Sequence, residues 1–380
     1  MTNKINWLVS WRIVAHNLCV KNNAQIISLN VHTNILCNTR SKIHFMKIAI
    51  VKLSALGDII HAMVALQFIK QKYLDCQIDW IVEEGFKGIL ENNPDIDKIH
   101  TVNLKKAKQQ KSLKLLFKEF SKLRKLPKYD VVIDAQGLIK SAIVARMIPS
   151  VKTFGFDKYS LRESFAARFY TNTCHINYDE NIIKRNVFVI SSALGMPISH
   201  NDIISKKPFL FSNGQISPDL PSNNRANIVL IPGASFKSKI YPADQYAQIA
   251  NELKSQINFI VLWGGEAEKQ MAKKICEIAP EVHISNQLTL DELKAFIAQM
   301  DLVIGGDTGP THMAWALNIP SVTLFGSTPG YRNTYITDIN QVIESKSKVD
   351  PYKIDKNDFS IKTIKTSDII AKTKELLSLV

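Results

Sequence analysis

The chain has 380 residues, of which 46% are hydrophobic and 22% charged. That supports a large buried core in two domains or three, and it excludes collagen-like, coiled-coil and wholly disordered classes. A formal net charge of +14 points to polyanionic partners: nucleic acid, phosphate-rich substrates or an anionic membrane face.

Residues 1–45 contain no Asp or Glu and carry Lys4, Arg12, Lys21, Arg40 and Lys42. They hold no sustained helical or strand period, and no cleavable signal is recognisable in them. They are expected to lie outside the fold, with Met46 as the working start; a basic membrane-tethering arm is the competing reading. The cysteines, at positions 19, 37, 76, 174 and 276, form no CxxC pair. Neither a disulfide framework nor a zinc ribbon is expected, and a cytoplasmic protein is the default. No apolar run approaches the roughly 20 residues of a spanning helix.

From Met46 onward, strand-like and helix-like runs alternate. Apolar strands are predicted at 48–51, 78–82, 130–134, 228–231, 259–263, 302–304 and 322–325. Helices are predicted at 58–73, 242–254, 266–278, 290–300 and 311–317. This alternation predicts α/β architecture with parallel sheets. The stretch 211–226, rich in Ser, Asn, Gly and Pro, divides the chain into two α/β units. The domains are therefore set at 46–212 and 227–380, with 213–226 as linker and a ligand cleft between the carboxyl ends of two sheets. The last helix, near 367–379, is a candidate to pack back on the first unit.

The loops after the strands carry the chemistry. Lys52-Leu53-Ser54-Ala55-Leu56-Gly57-Asp58 joins strand to helix but matches neither GxGxxG nor the P-loop. Asp58 is open to two readings, a carboxylate facing the cleft or a first-turn acid stabilised by the helix dipole; His61, one turn on, either partners it or packs. In the second unit, Gly233-Ala234-Ser235 precedes Lys239, and Gly305-Gly306-Asp307-Thr308-Gly309-Pro310-Thr311-His312 opens a helix. A helix N-terminus with a hydroxyl and an ammonium beside it suits a diphosphate. The plainer alternative is that Asp307 or Thr308 caps the helix.

Residues 105–128 hold nine lysines and Arg124 against the single acid Glu119, with apolar residues at helical spacing. That predicts a basic amphipathic helix, suited to an anionic membrane or phosphorylated acceptor, or else a solvated face over a core stripe. No aromatic platform interleaves with the basic residues, so nucleic acid is not expected. Asp95-Ile96-Asp97 reads as a turn after Asn93-Pro94. Neither a transition-metal cluster nor a nucleophile elbow is present.

The 52–58 loop, Asp79-Trp80-Ile81-Val82-Glu83-Glu84-Gly85-Phe86, Asp134-Ala135-Gln136-Gly137-Leu138-Ile139-Lys140 and Asp307-Thr308-Gly309-Pro310-Thr311-His312 together resemble the lipopolysaccharide heptosyltransferases of glycosyltransferase family 9. The likeness runs in order from Met46 to about Gly330 and is closer to type I than to type II. It implies a GT-B fold of two Rossmann-like domains and a metal-independent, cofactor-free, inverting transfer. Heptose would pass from ADP-L-glycero-β-D-manno-heptose to the 3-deoxy-D-manno-octulosonic acid (Kdo) of Kdo-lipid A at the cytoplasmic face of the inner membrane.

By the same resemblance, Asp58 is the general base and Lys239 meets charge on the leaving ADP. Donor contacts fall on Ala234, where relatives often carry threonine, and on Ser235, Glu268, Leu288, Asp307, Thr308, Gly309 and His312. Lys140 and Arg162 fall in acceptor-like stretches. A type II enzyme, and a nucleotide-binding relative that has lost catalysis, are the alternatives.

Overall fold

The computed structural model describes residues 45–214 and 223–378; the expectations for residues 1–44 and for most of the linker lie outside them. Residues from Met46 onward form one compact unit built on two six-stranded sheets. The first sheet contains β1 (Lys47–Val51), β2 (Gln77–Glu83), β3 (Lys98–Val102), β4 (Tyr129–Asp134), β5 (Ser150–Phe156) and β6 (Asn172–Cys174). Its order is β3-β2-β1-β4-β5-β6, with every pair parallel. The second contains β7 (Ala226–Ile231), β8 (Ile257–Val261), β9 (His283–Ile284), β10 (Leu302–Gly306), β11 (Ser321–Phe325) and β12 (Asn340–Glu344). It repeats the plan as β12-β11-β10-β7-β8-β9, again all parallel.

Fourteen described helices cover these sheets. In the first half they are α1 (Leu56–Met63), α2 (Ala65–Lys72), α3 (Lys87–Leu90), α4 (Leu104–Gln109), α5 (Leu113–Arg124), α6 (Ile139–Met147), α7 (Ile182–Leu194) and α8 (His200–Ile204). In the second they are α9 (Ala243–Leu253), α10 (Glu266–Ile278), α11 (Leu290–Ile297), α12 (Gly309–Leu317), α13 (Gly330–Asn333) and α14 (Thr366–Ser378). The helix read at 58–73 is thus two helices meeting at Val64. The basic segment is also two, because Lys111 adopts φ 48° between α4 and α5.

β1 and β7 form because a run of apolar residues with little alternation must be covered on both faces; Ile48, Ile50, Ile228 and Leu230 are all fully buried. Each sheet starts from this central strand, adds strands on one side and then jumps to the other. The reversal falls between β1 and β4 in the first sheet and between β7 and β10 in the second, and such switch points are where open parallel sheets bind ligands. The loops following these four strands are the ones the motifs had marked.

The halves meet through α1 on α12 and α3 on α11. A Cβ on Gly57 would lie 2.6 Å from His312 Cδ2, and one on Gly309 would lie 2.5 Å from Leu56 Cδ2. Glycine at both positions therefore lets the two helix starts touch. Beneath them Trp315 packs edge-on against Phe209 and His61. Lys294 donates to the Glu91 carbonyl at 2.7 Å, and Asn92 to Asp291 at 2.9 Å. Ile369, Ile370 and Leu376 of α14 are buried in the second sheet's core, against α9.

Candidate active site

The N-termini of α1 and α12 open on one cavity of about 410 Å³. Its lining includes Asp58 and His61 from the first half, with Ser235, Lys239, Asp307, Thr308, Gly309 and His312 from the second. Residues more than 170 positions apart in sequence are brought together by the two switch points.

Asp58 is half-buried in the first turn of α1, and its Oδ2 accepts the Ala55 N–H at 3.2 Å. It makes a local capping contact and also lines the cavity, so both readings of it describe real contacts. The loop that carries it is held from below. Leu53 and Ser54 donate their backbone N–H groups to Gln136 Oε1 at 3.0 and 3.1 Å. Gln136 is fixed in turn because buried Asp134 accepts the N–H groups of Gln136 and Gly137 and the hydroxyls of Ser141 and Tyr170. Burial outweighs these bonds and raises the Asp134 carboxyl above its ordinary range. Lys52, 1% exposed, donates to the Ala135 carbonyl at 2.8 Å and to Asn186 Oδ1 at 3.1 Å. Burial lowers its ammonium, while Asp58 and Asp134 act in the opposite sense.

Asp307 gathers four side chains. Lys239 donates to Oδ2 at 2.6 Å, Thr328 at 3.0 Å and Asn333 at 3.2 Å, while His312 Nε2 lies 3.1 Å from Oδ1. Burial opposes its charge, but the Lys239 ammonium and His312 prevail and hold the carboxyl well below the usual carboxylate range. Neither Asp307 nor Thr308 caps α12 with its side chain, and no acid lies in that helix's first turn. The helix's free N–H groups and positive dipole end are left facing the cavity, an arrangement suited to an anion.

His61, 3% exposed, has no hydrogen-bond partner at either ring nitrogen among the described residues. Its ring lies edge-on to His312 at 4.4 Å. Burial, and after it His312, depress its basicity well below the ordinary imidazole value, so it is neutral at pH 7.

Three sequence-marked donor residues sit beside the cavity and do not line it. Glu268 Oε2 accepts the Gly264 and Gly265 N–H groups at 2.6 and 3.3 Å, and its side chain covers Gly233, next to Ala234. Gln287 donates to the Gly264 carbonyl at 3.1 Å, which brings the loop before Leu288 alongside. Ala234, Glu268 and Leu288 thus follow neighbouring strand-end loops away from Lys239. On the other side, Lys140 is exposed and donates to Ser54 Oγ at 3.2 Å. Arg162 is exposed and outside the cavity, while Glu163 accepts the Ile139 N–H at the start of α6 at 2.8 Å.

The motifs missed Arg332 and Asn333 of α13, which also line the cavity. The loop from Gly326 to Pro329 follows β11 at its carboxyl end, so the strand-end rule pointed to this region.

Two facing parallel α/β sheets with their switch points on a shared cleft define a GT-B glycosyltransferase architecture. An Escherichia coli heptosyltransferase solved with ADP superimposes with a TM-score of 0.72 at 23% identity, over 87% of this chain and all of that one. E. coli ADP-heptose lipopolysaccharide heptosyltransferase II gives 0.67 at 19% identity, over 88% and 99%.

Residues 118–357 match the model of glycosyltransferase family 9 (heptosyltransferase). Lipopolysaccharide heptosyltransferase 1 of Campylobacter coli is 40% identical over 344 residues, 87% of this chain and 99% of that protein. The E. coli K12 protein of the same name is 30% identical over 298 residues, 76% and 91% respectively. The chain belongs to glycosyltransferase family 9.

Proposed function

We propose that this enzyme transfers L-glycero-D-manno-heptose from ADP-heptose to the Kdo of Kdo-lipid A, with inversion, in synthesis of the lipopolysaccharide inner core. The observation that carries the reading is the convergence of Asp58 and Lys239 on one cavity, beside the uncapped start of α12. The half comprising 46–212 receives the acceptor and the half comprising 227–380 holds the donor. Asp58 takes the proton of the acceptor hydroxyl as its oxygen attacks the anomeric carbon, the geometry general-base catalysis needs. The bond from that carbon to the diphosphate oxygen breaks. Charge growing on ADP meets Lys239, Ser235 and the N–H groups of Thr308 and Gly309, an electrostatic stabilisation aimed at the leaving group.

Asp307 and His312 hold Lys239 in place and border the sugar. Glu268 reaches the ribose hydroxyls, and Leu288 packs against the adenine; Ala234 contributes backbone contact alone. Lys140, beside the Asp58 loop, and Arg162 further out supply cations for the acceptor's carboxylate and phosphates. The curated relatives matched at 28–40% identity carry the type 1 name, whereas those named type 3 stand at 22–24%, which supports the heptose-free acceptor.

Among the described residues no helix is long and apolar enough to cross a membrane. The enzyme works as a peripheral protein on the anionic cytoplasmic face of the inner membrane. Leu113 and Phe117, one turn apart on α5, are 71% and 70% exposed amid lysines, a pattern suited to the interface of an anionic bilayer.

The test compares heptose-free and heptosylated Kdo-lipid A as acceptors, read by mass spectrometry. A single heptose added to the first and none to the second is expected. The reverse pattern would reassign the enzyme to type II.

A further inference from the structure

The cavity holds a cation that the proposed chemistry has not used. Arg332 donates Nε–H and Nη2–H to the Tyr178 carbonyl at 3.2 and 3.0 Å, and Nη1–H to Asn333 Oδ1 at 3.4 Å. Its guanidinium lies 4.6 Å from the Tyr178 ring centroid. A guanidinium has five N–H donors in a planar fork. These three bonds leave one N–H on each of Nη1 and Nη2, donors with which a guanidinium takes an oxyanion.

The charge around it is unbalanced. Arg185, 4% exposed, lies 5.2 Å from the same ring and spends its donors on the carbonyls of Ile176, Asn177 and Ser160. Among the described residues neither arginine forms a salt bridge with a carboxylate. Burial, and after it the neighbouring Arg332 charge, lower the Arg185 guanidinium to about 10, so it remains a cation at pH 7. A buried cation without a counter-ion is costly, and here buried Arg185 and half-buried Arg332 share one aromatic ring at the edge of an open cavity.

We propose that Arg332 is a substrate-binding residue that grips an oxyanion, phosphate or carboxylate, within the cavity, with Arg185 strengthening the local positive field. The inference rests on the glycosyltransferase reading, whose substrates carry such groups on both sides: the donor diphosphate, and the carboxylate and phosphates of the acceptor. Asn333, the next residue, touches Asp307 and so adjoins the donor loop, whereas Tyr178 belongs to the acceptor half; Arg332 spans the two.

The experiment is titration calorimetry of ADP, de-acylated Kdo-lipid A and inorganic pyrophosphate into the parent, Arg332→Gln and Arg332→Lys, with melting curves alongside. Arg332→Gln should weaken one substrate by roughly 10- to 100-fold, the size of a charge-assisted pair, while the other changes little. Arg332→Lys should recover part of that loss, and the parent's melting temperature should be kept. Loss for ADP and pyrophosphate assigns the diphosphate; loss for the acceptor alone assigns an acceptor oxyanion. Equal affinities in Arg332→Gln and the parent would overturn the proposal. So would a parallel fall of both affinities and of melting temperature with no recovery by lysine, because that is the signature of a strap between α13 and Tyr178. A parent that binds pyrophosphate through Arg332 but not ADP would keep the oxyanion site and sink the donor reading instead.

Discussion

Replacing Asp307 by asparagine probes how the loop that opens α12 is held. The side chains of Asp307 and Lys239 are 9% and 11% exposed, so Asp307→Asn keeps the shape and leaves the ammonium nearly buried without its counter-ion. Breaking a fully buried ion pair costs about 3–5 kcal/mol. This pair lines an open cavity and keeps some exposure, so the lower end applies: about 3 kcal/mol, or roughly 150-fold in the unfolding constant. Urea unfolding at pH 7 of the parent, Asp307→Asn, Lys239→Met and the double variant measures it. If the loss comes from the stranded ammonium, removing that ammonium restores most of it, and the double variant falls short of the sum by about 2 kcal/mol. Costs that add within about 0.5 kcal/mol would refute the reasoning.

Gly57→Ala places a methyl 2.6 Å from His312 Cδ2, and His312 is tied to Asp307, so α1 and α12 must separate. Overpacking of this kind costs about 1–3 kcal/mol; melting temperature and transfer rate should both fall, and a variant matching the parent in both contradicts the close approach. His61 resists protonation in the folded state, whereas in the unfolded chain it binds a proton below pH about 6.5. Its contribution to stability is therefore complete above that pH and is lost as the pH falls, by at most about 1.4 kcal/mol per unit. His61→Phe should flatten the acid limb of the stability curve, and unchanged acid slopes would contradict this. Phe117→Ser should weaken sedimentation with anionic vesicles about tenfold with an unaltered melting temperature; undiminished sedimentation removes α5 from the membrane contact.

The central strands were legible because both faces of each are covered, so β1, β4, β7 and β10 read as apolar runs whose ends announce the switch-point loops. β3, β5, β6, β9 and β12 were not, because edge or very short strands such as Lys98–Val102 and Asn172–Cys174, and the strand beside the short β6, Ser150–Phe156, are part-solvated and carry mixed residues. The break at Lys111 had no glycine to signal it. Lys52 read as a loop lysine, yet it is buried by Ala135 and by Asn186, 134 positions away. Arg332 acquires its orientation from a carbonyl 154 residues distant, a relation that local spacing does not encode. The loop that opens α12 was half legible: the anion-suited helix start followed from Asp307-Thr308-Gly309, whereas the four partners of Asp307 required the fold.

The most direct test of the account is heptose transfer from ADP-heptose to heptose-free Kdo-lipid A, without added metal, by the parent and by Asp58→Ala, with ADP affinity measured on both. The account predicts one heptose added by the parent and a rate lower by about 10²- to 10⁴-fold in the variant, with ADP binding unchanged. Transfer at the parent's rate by Asp58→Ala would contradict the assignment of the base, and no transfer by a parent that binds ADP would contradict the acceptor.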